Sequence, residues 1–559
     1  TVVPPSPVDV VWGFVMAGGV LFCPIRLFVG AGELTAPDRR EAESPQREQQ
    51  RLDEAIAAAV VAMNRDRDAV ARQTAGDEAD IFGAHLALLT DEAMLEPAQR
   101  GITDGAAAEA AWFGAVQHVA AVYRGLRSPL LRERAVDVLD VGRRVLEALT
   151  GRARSGCSDT EPRIVIADEL TPAGAAALDA SVVLGIATAH GAATAHGAIL
   201  ARALGLPTVM GLGDAVLGLE ERAQVLLDGD AGTLVVQPAE SVARESLDRG
   251  ARLAQRRRVA RARAHEPGRL RDGSRIEVFA NLGGVSEAVQ AVSLGAEGVG
   301  LLRTEFLYLQ RPDLPSEQEQ VATLREIASA LGGRPLIIRT LDAGADKPLA
   351  GLPMPAEANP FLGVRGIRAS LVHRDVLAAQ LRAILRVAAE FPSVKAMLPM
   401  VSTVGEVLEV RAMLAQAREC TGLDVALELG IMVEVPAAAL TAAHLAEHVD
   451  FFSLGTNDLT QYTMAAERGS ERLAPLLTGP QPAVLRLVCA TVQAASAHGR
   501  GVGVCGELAG DPAAAIVLAG LGVTELSMAP ARVSEVKAAL REVDTDEARA
   551  AAERALGSA

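Results

Sequence analysis

The chain has 559 residues, half of them hydrophobic but only 3% aromatic, and a formal net charge of −16. That length supplies two or three domains with full cores, and an apolar mass made mostly of Ala, Val and Leu suits helix-covered parallel sheets, so the expected class is α/β. The charge argues against nucleic acid as the main partner and leaves a basic protein or a metal-bound anionic substrate open, while five scattered cysteines without a CxxC spacing exclude a zinc or redox pair and fit a cytoplasmic protein.

In chain order, Val10 to Ile25 carries no charge over 16 residues. It is short for a membrane span and no basic region precedes it, so it reads as buried strands rather than as a signal or anchor. From Glu41 to about Thr150 the pattern is helical, with Leu52, Ile56, Ala59 and Met63 on one face and further amphipathic runs at DEADIFGAHLALLTDEAML and ERAVDVLDVGRRVLEAL. Strand-like residues on both sides, before Glu41 and at Arg163–Asp168, make this a pair of helical hairpins inserted into an α/β domain. His85 and His118, within the insert, read as packing or surface residues.

The stretch Thr194 to Pro207, TAHGAILARALGLP, reads as a helix with Thr194 as N-cap and His196 in its first turn. Alone, it is an ordinary capped helix with a surface histidine. The free N–H groups and positive dipole end of a helix N-terminus would also stabilise an anion carried on His196, which suits a phosphohistidine. After Val236 an Arg- and Ala-rich run reads as an exposed connecting helix ending near Pro267, its basic residues forming a solvated face. The predicted organisation is an α/β phosphohistidine domain over 1–40 and 151–240, the helical insert over 41–150, a linker over 241–270 and a barrel over 271–559.

Beyond Asp272, eight short apolar segments each end in a polar residue and precede a helix: RIEVFANL, GVGLLRTE, LIIRTLD, AMLPMVS, ELGIMVEV, FFSLGTND, GVGVCGEL and TELSMAP. Eight such units predict a closed (β/α)8 TIM barrel with its reactive groups at the C-terminal strand ends. Asn281, Arg303, Glu305, Arg339, Asp342, Ser402, Glu434, Asn457, Asp458, Cys505 and Glu507 fall there and should converge on one mouth. Glu434 and Asp458 are hard oxygen ligands suited to Mg2+. Arg303, Arg339 and Arg468, with Lys347 and Arg365 on loops, suit a small acid bearing both carboxylate and phosphate. Cys505 is either a proton donor to a carbanion or a small buried hydrophobe.

The motifs GAEGVGLLRTEFLY, LPSEQEQ, RTLDAGADKP, NPFLGVRGIR, IMVEVPAA, DFFSLGTNDLTQYTMAAERG and GVCGELAGD, with IFGAHLALLTDE and TAHGAILARALGLP, resemble enzyme I of the bacterial phosphotransferase system, the phosphoenolpyruvate-protein phosphotransferases, over nearly the whole chain. The resemblance implies that His196 accepts the phosphoryl group of phosphoenolpyruvate. It further implies that Glu434 and Asp458 hold Mg2+, that Arg303, Arg339, Asn457 and Arg468 bind the substrate with Lys347 and Arg365 in support, and that Cys505 protonates the enolate to give pyruvate. Phospho-His196 would then pass its group to the histidine-containing phosphocarrier protein docked on the insert, the first step of sugar uptake by that system. A cytoplasmic homodimer joined through the barrel, with no membrane insertion and no nucleic acid, is implied as well.

Several positions depart from the family's usual pattern. Gly-Gly-x-Thr-Ser-His is here Gly191-Ala192-Ala193-Thr194-Ala195-His196, LTPSxT is Leu170-Thr171-Pro172-Ala173-Gly174-Ala175, Ser-Pro-Gly is Ala17-Gly18-Gly19, and Ala345 replaces a glycine. A lost hydrogen bond to a charged group is worth roughly 1.5–3 kcal/mol, so slower transfer is expected unless something compensates. A divergent regulatory or binding relative that keeps the substrate and Mg2+ site but relays phosphate poorly, or to another partner, is the alternative reading. The end of the chain at Ala559, soon after the last barrel strand, leaves the final helix in question.

Overall fold

The structure is a computed structural model that describes most of the chain between residues 10 and 557. Outside it fall 1–9, 29–33, 74–80, 126–128, 152–160, 171–177, 179–181, 191–205, 345–348, 468–472 and a few shorter stretches. His196 with its expected helix, Lys347, Arg468, Ala345 and the residues 171–175 lie outside the described residues. The chain divides into two compact units, Thr1–Gln255 and Arg256–Ala559. Among the described residues, no helix is long and apolar enough to cross a membrane.

The first unit is built on an eight-stranded mixed sheet. Its strands are β1 (Val10–Trp12), β2 (Phe14–Ala17), β3 (Val20–Phe28), β4 (Arg163–Ala167), β5 (Val183–Thr188), β6 (Thr208–Met210), β7 (Gln224–Asp228) and β8 (Thr233–Val236), in spatial order β1-β8-β7-β3-β4-β5-β6-β2. The parallel centre β3-β4-β5-β6 is rich in β-branched residues, and Ile25, Ile164, Ile166, Val209, Val225 and Leu227 form its core. The apolar stretch Val10–Ile25 is indeed made of strands, but β3 is only partly buried. Leu21 and Cys23 pack on the core while Phe22, alternating onto the other face, is 37% exposed.

Between β3 and β4 the described residues form five helices rather than two hairpins: α1 (Pro45–Gln73), α2 (Ile81–Leu89), α3 (Glu92–Thr103), α4 (Ala108–Arg124) and α5 (Pro129–Thr150). The run DEADIFGAHLALLTDEAML breaks at Asp91, whose carboxylate accepts the Ala93 N–H at 2.9 Å and starts a new helix. Leu52, Ala59 and Met63 are buried as their spacing requires, around Trp112, whose indole N–H donates to the Gly142 carbonyl at 2.9 Å. His85 is fully buried, with Nε2 3.1 Å from Asp137, and His118 is exposed. Glu48 ties α1 to α4: it accepts the Ala108 and Glu43 N–H groups at 3.0 Å and pairs with Arg40 and Arg51. Burial opposes its charge, but these donors prevail and hold its pKa down at about 2.

The helix Glu240–Ala262 is largely solvent-exposed, and its Arg257 pairs with Glu535 at 3.1 Å. The second unit is the expected closed parallel barrel. Its strands are β9 (Glu277–Leu282), β10 (Val299–Leu302), β11 (Leu336–Arg339), β12 (Val394–Leu398), β13 (Leu429–Val433), β14 (Phe451–Leu454), β15 (Gly501–Val504) and β16 (Glu525–Met528), each on one of the eight segments named above. A large apolar shell lies between strands and helices, whereas the interior holds only a small cluster: Leu301, Ile337, Met397, Met432, Phe451 and Cys505. Two helices, Val533–Glu542 and Thr545–Gly557, follow β16.

Candidate active site at the mouth of the barrel

A parallel barrel delivers the residues at its strand ends to one face. Arg339, the last residue of β11, is 5% exposed. It donates to Glu305, just beyond β10, lies 3.4 Å from Asp342, and directs Nη1 at the Met432 sulfur at 3.8 Å. Its Nε is buried without a hydrogen-bond partner among the described residues. Thr304 fixes this corner by donating its hydroxyl to the Arg339 carbonyl at 2.9 Å and accepting from Gln380 at 3.2 Å.

Arg365 is the second buried guanidinium, 1% exposed. Its Nε and Nη2 donate to the two oxygens of Asp342 at 3.1 and 3.0 Å, and Nη1 and Nη2 donate to the two of Asp458 at 3.3 and 3.2 Å. The turn that aims it needs Gly366 at φ +60°, where a Cβ would sit 2.7 Å from the Met400 side chain. Arg365 therefore stands at the centre of the network, although the sequence marks it only as a supporting loop residue.

Glu434 follows β13 and is 1% exposed; its Oε1 accepts the Met400 N–H at 2.6 Å. Burial pushes its pKa up to about 8, reinforced by Asp458 and Asp342 against the pull of Arg339 and Arg365. Two guanidinium groups thus face four carboxylates (Glu305, Asp342, Glu434 and Asp458), and one of the four is driven toward its neutral form. A divalent cation fits that imbalance, and the hard oxygens of Glu434 and Asp458 are the donors Mg2+ takes. No group of three or more His, Cys, Asp or Glu side chains arranged to hold a metal occurs among the described residues.

The remaining strand-end residues border this cluster. Asn457 and Glu507 are doubly bonded, Asn457 Nδ2 donating to Glu507 at 3.2 Å and the Glu507 N–H donating to Asn457 Oδ1 at 2.8 Å. They line a cavity of about 580 Å3 with Thr456, Thr460, Thr478 and Asp511. Cys505 is 4% exposed and its thiol is pushed up to about 12 by burial, so it is a thiol at neutral pH. Its carbonyl accepts Asn281 Nδ2 at 2.9 Å, and Asn281 Oδ1 accepts the Ser527 hydroxyl at 2.7 Å. Arg303 is exposed and makes no side-chain hydrogen bond or ion pair among the described residues, which leaves its guanidinium available. Ser402 does not join the cluster: its hydroxyl accepts from Arg368 at 2.8 Å.

Two contributors escape a reading of the sequence. Met400, which offers its N–H to Glu434, is a non-glycine residue at φ 57°, inside a run that reads as plain strand. Tyr462 donates its hydroxyl to the Phe361 carbonyl at 2.5 Å, a link across 101 residues that no local pattern announces.

A barrel whose mouth gathers arginines, excess carboxylate and a buried thiol suits a small, highly anionic acid. Three family descriptions match the chain in agreement with it: the PEP-binding domain of PEP-utilising enzymes over residues 257–545, their N-terminal region over 13–134 and their mobile domain over 159–232. A phosphoenolpyruvate-protein phosphotransferase of Haloferax volcanii is 41% identical over 519 residues, covering 90% of this chain and 89% of that one. A multiphosphoryl transfer protein of Rhodobacter capsulatus is 45% identical over 492 residues, covering 88% of this chain and 59% of that one. The solution structure of an Enzyme I (nEIt) protein is 26% identical and covers 44% of this chain and 99% of that one, with a TM-score of 0.35. The chain spans somewhat under three fifths of the length of the multiphosphoryl transfer proteins it matches, 59% and 57%. It belongs to the phosphoenolpyruvate-protein phosphotransferase (enzyme I) family within the PEP-utilising enzymes.

Proposed function

We propose that the chain transfers the phosphoryl group of phosphoenolpyruvate through His196 to a histidine of a small phosphocarrier protein and releases pyruvate, as the first step of a sugar phosphotransferase system. The mouth of the barrel carries this reading, because two buried guanidinium groups there meet more carboxylate than they neutralise, beside a buried thiol. Arg339, with an unpartnered buried N–H, and the free guanidinium of Arg303 bind the substrate's carboxylate and phosphate with Asn457, Arg468 and Lys347. Arg365, whose fork is taken up by Asp342 and Asp458, contributes by holding Asp458 in place. Glu434 and Asp458 hold Mg2+, which when bound neutralises phosphoryl and carboxylate oxygens. Neutral His196 attacks phosphorus in line, and Cys505 gives its proton to the methylene carbon of the departing enolate.

His196 lies in the first unit and the mouth in the second, and the same histidine must then serve another protein. The reading therefore requires the first unit to present it to each in turn. The helical insert is the docking surface for the carrier, and the protein works as a cytoplasmic homodimer joined through the barrel.

The test is incorporation of labelled phosphate from phosphoenolpyruvate with Mg2+, in the unaltered chain and in His196→Ala, with pyruvate followed in parallel. Acid-labile label that is lost in the variant is the expected result. Binding of phosphoenolpyruvate without any label would overturn the reading.

A further inference from the structure

The proposed chemistry leaves one proton unaccounted for. Each time Cys505 protonates an enolate its thiol becomes a thiolate, and at 4% exposure the sulfur has little direct access to solvent. The barrel interior beneath it has an unusual composition for a packed core. Ser453 on β14, Gly503 on β15 and Glu525 on β16 are side by side in register, one inward-facing step below Cys505.

Gly503 has no side chain, and the Glu525 carboxyl fills that space. A Cβ on Gly503 would lie 3.0 Å from Glu525 Oε1, and one on Gly300 would lie 2.4 Å from the same oxygen and 2.7 Å from Ser527 Oγ. Ser453 faces the Cys505 thiol, and its influence favours the thiolate. Glu525 Oε1 is buried without a hydrogen-bond partner among the described residues. Such an orphan is costly in a protein interior and marks a group retained for a purpose other than packing.

We propose that Glu525 is the proton reservoir behind Cys505, restoring its thiol by way of the Ser453 hydroxyl after each enolate protonation. This rests on the reading of Cys505 given above. The O–H bond of the Glu525 carboxyl breaks and the Ser453 oxygen takes that proton. Ser453 in turn gives its own hydroxyl proton to the Cys505 sulfur, forming S–H, and the Glu525 carboxylate is then reprotonated from solvent through the floor of the barrel. The groups facing Glu525 there are Glu277 at the start of β9 and Lys395 near the start of β12; Lys395 also pairs with Glu428 at 2.7 Å. Burial first, and Glu277 second, push the Glu525 carboxyl up to about 8, so it holds a proton at neutral pH. The Cys505 thiol at about 12 makes transfer from carboxyl to thiolate downhill.

The experiment uses the full chain with Mg2+ and two readouts: single-turnover labelling of the protein from phosphoenolpyruvate, and exchange of solvent deuterium into the methyl group of pyruvate at equilibrium with phosphoenolpyruvate, which needs no carrier and requires the Cys505 proton to be replaced from solvent between turnovers. Glu525→Gln is isosteric and neutral like the protonated acid, so the fold is kept. Its labelling should stay within about twofold of the unaltered chain, because the thiol starts protonated, while exchange falls tenfold or more. The alkaline limb of the exchange profile, near pH 8 in the unaltered chain, should vanish. Ser453→Ala should slow exchange in the same sense. Unaltered exchange and pH profile in Glu525→Gln, or equal losses in labelling and exchange, would overturn the proposal. No labelling of the unaltered chain would instead remove the underlying reading, and this inference with it.

Discussion

Glu48 in the helical insert and Glu434 in the barrel are equally hidden, each 1% exposed, yet their environments drive them in opposite directions. Glu48 meets two N–H groups and two guanidinium groups and is held ionised, its pKa near 2. Glu434 has one N–H and two carboxylate neighbours, and its pKa rises to about 8. Burial itself therefore does not say whether a carboxylate is structural or reactive; the number of donors around it does. The insert surrounds Glu48 with enough donors to keep its charge, whereas the barrel mouth leaves Glu434 in deficit, as a site that takes up a cation and an anionic substrate requires.

The sharpest way to break this contrast is to remove a donor where charge is already in excess. Arg365→Leu leaves Asp342 and Asp458 buried without their main partner and should cost about 3–5 kcal/mol of barrel stability. Urea unfolding followed by far-UV circular dichroism measures it, and a loss below about 1 kcal/mol would show that the network is more solvated than its burial implies.

A change of pH separates the two regions by sign. Glu434 and Glu525 have raised pKa values, so the folded barrel binds more protons than the unfolded chain. Its stability in the absence of metal should fall as pH rises from the ordinary carboxylate value near 4.5 to about 8 and then level off. Glu48 has a lowered pKa, so the insert should hold its stability above 4.5 and lose it as pH falls toward 2. Both tryptophans, Trp12 and Trp112, belong to the first unit, so their fluorescence follows that unit while circular dichroism follows both. Mg2+ should blunt the alkaline decline in the barrel but not in Glu434→Gln. The smallest effect concerns a helix start: Thr403→Ala removes one half of the capping box with Glu406 and should cost about 1 kcal/mol, with no change in the pH response of the insert.

Much of the barrel is legible in the sequence because each strand is a short apolar run closed by a polar residue, and that punctuation gives both the strand and the end that bears chemistry. The places of Glu434, Asp458 and Cys505 at the mouth follow from it. Arg365 is underrated because its partners lie 23 and 93 residues away, and a loop position carries no periodicity to reveal them. The left-handed backbone at Met400 leaves no trace in residue type. In the insert, apolar spacing finds the buried face of α1, but the break at Asp91 is hidden inside a continuous amphipathic run. Nothing local singles out Glu48, since its partner Ala108 is 60 residues away.

The order of strands in the first unit also governs how the protein can be made. β1 and β2, the earliest strands in the chain, form the two outer edges of the sheet, and their partners β8 and β6 lie about two hundred residues downstream. At roughly 5–20 residues per second a ribosome needs on the order of 10–40 s to deliver those partners. During that interval the helices of the insert, whose contacts are local, can complete their own core while β1 and β2 remain unpaired. The nascent chain is thus most exposed to mispairing at β1 and β2, and a chaperone that covered these two strands until β8 and β6 emerge would protect the whole sheet.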